Sequence, residues 1–168
     1  MLQKPSGDAH LHPGNSKESL MPQRPIRELI HQKRQKGILL VPAKATVTDA
    51  AQMMQKRNIG AVIVVDEHGH LAGIFTERDA LFRVLAQARD PAKTRIAQVM
   101  TKNPRTVEPD KPVGYALHMM YEGGFRHVPV VENGRPVGMV AARDALGPEL
   151  KEFESDIERR EHIGEILG

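Results

Sequence analysis

The apolar positions of this 168-residue chain change period several times, and each change marks an element. Ile26, Leu29 and Ile30 fall three and four apart and predict a short helix over 26–35. Ile38-Leu39-Leu40-Val41 is a continuous apolar run stopped by Pro42, which reads as a short strand. From 46 to 58 the apolar residues Val47, Ala50, Ala51, Met53 and Met54 return to helical spacing, with Thr46 or Thr48 placed to cap the start and Gly60 to end it. Two apolar strands, 61–65 and 70–75, flank a Glu67-His68-Gly69 turn, and a second helix from 77 to about 88 would turn Leu81, Val84 and Leu85 inward. The order strand, helix, strand, strand, helix then recurs. Residues 96–100 lead in, 105–107 form the short strand, and Pro112 opens a helix over 113–122. Strands at 127–132 and 135–140 surround an Asn133-Gly134 hairpin, and a helix begins near 142.

The recurrence extends to residues. Asn58-Ile59-Gly60-Ala61-Val62-Ile63-Val64-Val65-Asp66 followed by Gly73-Ile74-Phe75-Thr76-Glu77-Arg78-Asp79 returns as Gly124-Phe125-Arg126-His127-Val128-Pro129-Val130-Val131-Glu132 and Gly138-Met139-Val140-Ala141-Ala142-Arg143-Asp144. The offset is 66 positions at Met53 and Met119 and 65 at Asp79 and Asp144, which is one deletion in a hairpin. Two copies make a duplicated unit rather than a solenoid. A half of roughly 60 residues buries too little apolar surface alone, so the copies should pack together and leave a pseudo-twofold cleft between them. Met53, Met54, Met119 and Met120 are expected as core filling on the two long helices.

Composition narrows the chemistry. With 24 Lys and Arg against 21 Asp and Glu the net charge is +3, so binding to nucleic acid is permitted and not indicated. The absence of cysteine removes disulfides and thiolate chemistry and is compatible with a reducing compartment. No apolar run approaches a membrane span and the first residues lack a signal-peptide core, so a soluble, cytoplasmic protein is expected. The first two dozen residues, rich in Pro, Gly, Ser, His and Lys, read as a flexible lead whose His10-x-His12 pair lacks the third ligand of a metal site. From 148 onward charged residues alternate with Leu150, Phe153, Ile157, Ile163, Ile166 and Leu167 at near-helical spacing, a helix that either folds back or meets a second chain.

Two places carry candidate chemistry. Thr76 with Asp79 is nearly a capping box at a helix start, a purely structural arrangement. In the second copy Ala141 replaces the Thr, yet Asp144 remains, and a carboxylate kept without its capping partner can instead accept hydrogen bonds from a vicinal diol such as a ribose. Arg126-His127 replaces the Gly60-Ala61 of the first half, and a guanidinium and imidazole at the start of a strand facing the cleft suit a phosphate or are a surface Arg and a satisfied His. Arg78 and Arg143, each just before the Asp, serve phosphate or are simply exposed. No nucleophile with a base and orienter, no metal cluster and no Walker-type glycine loop stands in the chain, so no enzymatic activity is expected.

These motifs, with Met100-Thr101-Lys102-Asn103-Pro104 and Phe125-Arg126-His127-Val128-Pro129, resemble a tandem pair of CBS domains, the Bateman module, over roughly residues 25–147. The resemblance implies an α/β (α+β) fold of two β-α-β-β-α units packed sheet to sheet with pseudo-twofold symmetry. It divides the chain into the lead at 1–24, CBS domains at 25–91 and 92–147, and the charged helix at 148–168. It implies a non-catalytic regulatory protein that binds AMP, ADP or ATP between its domains, with no catalytic cofactor, a homodimeric assembly and an unidentified regulated partner. One site would use Ile74, Thr76, Arg78 and Asp79 with Asn103, Arg105, Phe125, Arg126 and His127. A weaker second site would use Met139 and Asp144 with Gly37, Ile38, Ile59, Gly60 and Ala61. NAD or S-adenosylmethionine in the same cleft, a nucleic-acid-binding accessory and a purely structural dimerisation module are the alternative readings.

Overall fold

The computed structural model describes residues 24–33, 38–145 and 147. The expected lead, apart from Arg24, the 148–168 helix and Gly37 lie outside the described residues.

The first core forms where the apolar face of α2 (Val47–Arg57) lies on three strands, β1 (Leu40–Pro42), β2 (Ala61–Val65) and β3 (Leu71–Thr76). Val41, Val62, Val64 and Phe75 are fully buried there. β1 runs parallel to β2, which requires the helical crossover that α2 supplies, and β2 returns antiparallel to β3 through the tight turn. Beyond β3 follow α3 (Glu77–Asp79), a π-helix (Ala80–Leu85) and α4 (Ile96–Val99), and β4 (Thr101–Lys102) adds to the free edge of β3 to give the order β1-β2-β3-β4. The second core repeats the plan with α5 (Val113–Gly123), β5 (His127–Glu132), β6 (Arg135–Ala141) and α6 (Ala142–Ala145). A single parallel bridge from Val107 to Val130 stands where the first unit has β1.

The helix that precedes each unit serves the other one. Ile26, Leu29 and Ile30 of α1 (Ile26–Lys33) are buried in the second core, whereas Ile96 and Val99 of α4 are buried in the first. The backbone repeats this exchange almost atom for atom. Ile96 N–H donates to Ala45 C=O and Ile26 N–H to Lys111 C=O, both at 2.9 Å; Val47 N–H donates to Thr94 C=O and Val113 N–H to Arg24 C=O, again at 2.9 Å. Arg27 of α1 also bridges Asp110 and Glu132 of the second half at 2.9 Å each. The core boundary therefore does not coincide with a cut at 91/92. The hairpins of the two units touch where Leu71 N–H donates to Gly134 C=O at 3.4 Å.

Several expectations are corrected. Gly60 does not end α2; Asn58 does, in the left-handed conformation at φ 51, with its N–H turned back onto the helix. Asn tolerates that region because its short polar side chain substitutes for part of the local hydrogen bonding. The segment after Asp79 is not a regular α-helix. Ala86 N–H reaches back to Leu81 C=O and Arg89 N–H to Val84 C=O, five residues each. The wider turn changes the angular step, so residues four apart no longer superimpose. Val84 alone points inward, while Leu81, Phe82 and Leu85 are 49%, 56% and 72% exposed. Residues 105–107 make only the Val107 bridge, and the strand of that region is β4, claimed by the first sheet. Pro42 is the last residue of β1 rather than its stop, as suits an edge strand that needs no N–H there. Met54, Met119 and Met120 are buried as expected, but Met53 is exposed.

Candidate ligand site

Thr76 leaves β3 in extended conformation and starts α3. Its N–H and hydroxyl both donate to Asp79 Oδ2 at 2.9 Å, and Asp79 N–H donates to Thr76 Oγ1 at 3.2 Å, a complete capping box. Thr46 and Asp49 build the same box at the start of α2, with bonds of 2.7 and 3.1 Å. The Thr-x-x-Asp spacing by itself is therefore a helix start in both places. There the Thr46 hydroxyl and N–H hold the exposed Asp49 carboxyl below its ordinary pKa.

Burial and a cation distinguish Asp79. The residue is 8% exposed, and Arg83, one turn on, brings Nε to 3.4 Å from Oδ1. Arg83 Nη1 also donates to Val99 C=O at 3.1 Å and Met100 C=O at 2.8 Å, so the carboxylate is tied through one guanidinium to the segment that becomes β4. Oδ2 already accepts two hydrogen bonds, whereas among the described residues Oδ1 faces only the more distant Nε and retains acceptor capacity. Arg83 was absent from the sequence-derived site. Its signal was the Asp-to-Arg spacing of four residues on a helix, which favours an ion pair.

Ile74 is buried and pairs with Thr101, which sets Asn103 just beyond β4 in left-handed conformation at φ 46. Arg78 crosses to the second half, where Nη1 donates to Gly124 C=O at 3.3 Å beside the half-buried Phe125. These contacts draw the first-half residues toward 103 and 124–125. Arg105 instead lies 3.9 Å from Glu122 on α5, which also faces His118 at 3.3 Å. Arg126 is exposed at the entry to β5, and His127 is half-buried opposite Ala141.

In the second set, Ile38 and Ile59 are exposed, Gly60 precedes and Ala61 starts β2, Met139 pairs with Pro129, and Asp144 is half-buried in the first turn of α6. The two strand entries are joined to the two helix starts by equivalent bonds. Glu77 N–H donates to Gly60 C=O and Ala142 N–H to Arg126 C=O, both at 3.0 Å. Across this shared frame the side chains are exchanged: Gly60 sits under Glu77, whose carboxylate lies 3.1 to 3.2 Å from the place of a Gly60 Cβ, while Arg126 stands beside Ala142.

Two surface depressions are lined by other residues. One of about 410 Å³ is lined by Thr106, Glu108, Lys111, Tyr115 and Asn133 of the second half. Another of about 260 Å³, between Leu39, Met53, Lys56 and Arg57, adjoins Ile38. Among the described residues no group of three or more His, Asp or Glu could hold a metal ion, and no helix is long and apolar enough to cross a membrane.

Residues 26–86 and 96–147 each match the CBS domain family. The chain belongs to the CBS domain family. The CBS domain-containing protein CBSCBSPB3 of Arabidopsis thaliana is 36% identical over 121 residues, which cover 72% of this chain and 22% of that protein, so the chain spans about a fifth of its length. The mitochondrial CBSX3 of the same plant is 35% identical over 68% of this chain and 57% of its own. Among solved structures, the CBS-domain containing protein ATU1752 from Agrobacterium tumefaciens superposes with a TM-score of 0.69 at 31% identity, covering 75% of this chain and 99% of that one. The CBS domain pair of protein MJ0100, in complex with 5′-methylthioadenosine and S-adenosyl-L-methionine, gives 0.68 at 30% identity over 78% and 99%.

Proposed function

We propose that this CBS pair is a non-catalytic sensor that binds an adenosine-containing ligand, foremost AMP, ADP or ATP, and signals through a change in conformation or assembly. The observation that carries the reading is Asp79. It is a buried carboxylate with one oxygen saturated by the helix cap and the other still able to accept, positioned to take the hydroxyls of a ribose. Arg78 and Arg126 supply the cations that a phosphate would need. S-adenosylmethionine or methylthioadenosine is the second reading, favoured by the MJ0100 pair, which holds both.

Occupancy can act only through differential affinity for two states. The route runs from Asp79 through Arg83 to the carbonyls of Val99 and Met100, and so to the junction between the halves. The chain assembles as a homodimer, with the exposed Leu81, Phe82 and Leu85 as the apolar surface that a second copy would cover. Calorimetric titration of nucleotide-stripped protein with AMP, ATP, NAD and S-adenosylmethionine tests the reading. Heat with an adenine nucleotide supports it, heat with S-adenosylmethionine alone transfers it to the second reading, and no heat with any of the four refutes both.

A further inference from the structure

Beyond Asp79 the backbone runs against its own sequence. Ala80-Leu81-Phe82-Arg83-Val84-Leu85-Ala86-Gln87-Ala88 is rich in Ala, Leu, Arg and Gln, residues that favour an α-helix, and it holds no Gly or Pro to break one. The structure instead winds Ala80–Leu85 as a π-helix, in which Ala86 N–H donates to Leu81 C=O at 2.9 Å and Arg89 N–H to Val84 C=O at 3.0 Å. The winding closes on Ala88, which stands at φ 49. Among the described residues the other non-glycine positions of positive φ are Asn58, Asn103 and Asn133, whose side chains ease the left-handed region; alanine has no such compensation. A rare winding that ends in a strained alanine persists only where the surrounding contacts over-determine it.

Arg83 supplies such contacts from inside the π turn. Its Nη1 donates to Val99 C=O at 3.1 Å and Met100 C=O at 2.8 Å, both outside the helix. The start of the helix is fixed by the Thr76 cap, so four-residue bonds would turn Arg83 farther round the axis and off those carbonyls. We propose that residues 80–89 are a two-register element, π as seen here and α as the local sequence prefers, with Arg83 the positioning residue that holds the first. A change of register rotates the turn and re-aims the exposed Leu81, Phe82 and Leu85. Because Asp79 Oδ1 faces the same guanidinium at 3.4 Å, a ligand on that carboxylate is the trigger. Only the trigger rests on the sensor reading above; the two registers stand or fall without ligand.

The test is NMR of the full chain, stripped of nucleotide, reading the through-hydrogen-bond couplings and the exchange rates of the Ala86 and Arg89 amides. In wild type they should couple to the carbonyls of Leu81 and Val84. Arg83→Met keeps the length and helix preference but removes the donor, and should move the two partners to Phe82 and Leu85. Ala88→Gly relieves the left-handed residue, and should keep the five-residue partners while slowing Arg89 exchange about two- to fivefold. Five-residue partners that persist in Arg83→Met, or couplings that vanish there altogether, overturn the two registers. Arg89 exchange that is unchanged or faster in Ala88→Gly overturns them as well. ATP added to wild type should shift the partners as Arg83→Met does. ATP that binds by calorimetry without shifting them refutes the trigger, whereas ATP that does not bind counts against the sensor reading and leaves the registers standing.

Discussion

Replacing Asp79 by Ala should unfold the first half at lower temperature even without ligand, because the carboxylate is part of the resting structure. The substitution removes both acceptor contacts to Thr76 and leaves the Thr76 N–H without its cap. Loss of a helix cap costs about 1 kcal/mol, and loss of a hydrogen bond to a charged group about 1.5 to 3 kcal/mol. The two overlap, so the expected loss is about 2 to 3 kcal/mol, or roughly 4 to 12 °C in Tm for a chain of this size. Asp49→Ala is the internal control, since it removes the same capping atoms from an exposed site without an Arg83, and should cost clearly less. Differential scanning calorimetry of the three proteins reads this directly. Ligand then adds a second axis: at a hundred times its Kd, a nucleotide should stabilise wild type by about 2.7 kcal/mol, and Asp79→Ala should lose the part due to the tighter site. An Asp79→Ala protein that melts no lower than Asp49→Ala, yet still gains the full ligand shift, would show that the buried carboxylate is neither structural nor a ligand group.

Arg126→Ala should weaken AMP and ATP by on the order of 1.5 to 3 kcal/mol and leave adenosine unchanged in the same titration, since only phosphate loses a charge-assisted partner. Equal loss for all three would make Arg126 structural. Asp49, Asp66 and Asp110 are each held below the ordinary value of 3.8, by the Thr46 hydroxyl, by the His70 and His68 N–H groups and by Arg27 respectively. A lowered folded pKa contributes stability that is complete above the unfolded value and lost as pH falls through the folded one, so urea midpoints should hold from pH 7 to 5 and drop below about pH 4. The drop should be smaller in Asp110→Asn. Sedimentation should show a dimer at micromolar concentration that Leu85→Glu converts to monomer, and a wild-type monomer would remove the apolar π-helix surface from the proposal.

The duplicated order of elements was legible because strand and helix periods alternate cleanly and the second copy checks the first. What escaped was whatever depends on non-local competition. Thr101–Lys102 follows the 96–100 lead-in without a strand signal of its own, and it becomes a strand because β3 offers a free edge. The spacing of Leu81, Val84 and Leu85 satisfies an α-helical face, but the backbone winds with five-residue bonds and turns two of the three outward. At the site, Thr76 and Asp79 were legible as a pair, and the structure makes them a complete capping box. Arg83 was not legible beside Asp79. It acts away from its own helix turn, on the carbonyls of residues 99 and 100.

The crossed helices say something about how such a chain came to exist. A single unit of this kind, helix followed by β-α-β-β-α, could not close its own core, because its helix is shaped to lie on the neighbouring unit, as α1 does on the second core and α4 on the first. Before duplication it would have had to lend that helix to another molecule, in a reciprocal swap between two copies. Within one chain the exchange is internal, and a tether that keeps both helices permanently in reach stands in place of a concentration-dependent encounter. Each half of the present chain still carries the other's missing piece, so separating the halves should leave two open cores rather than two small domains.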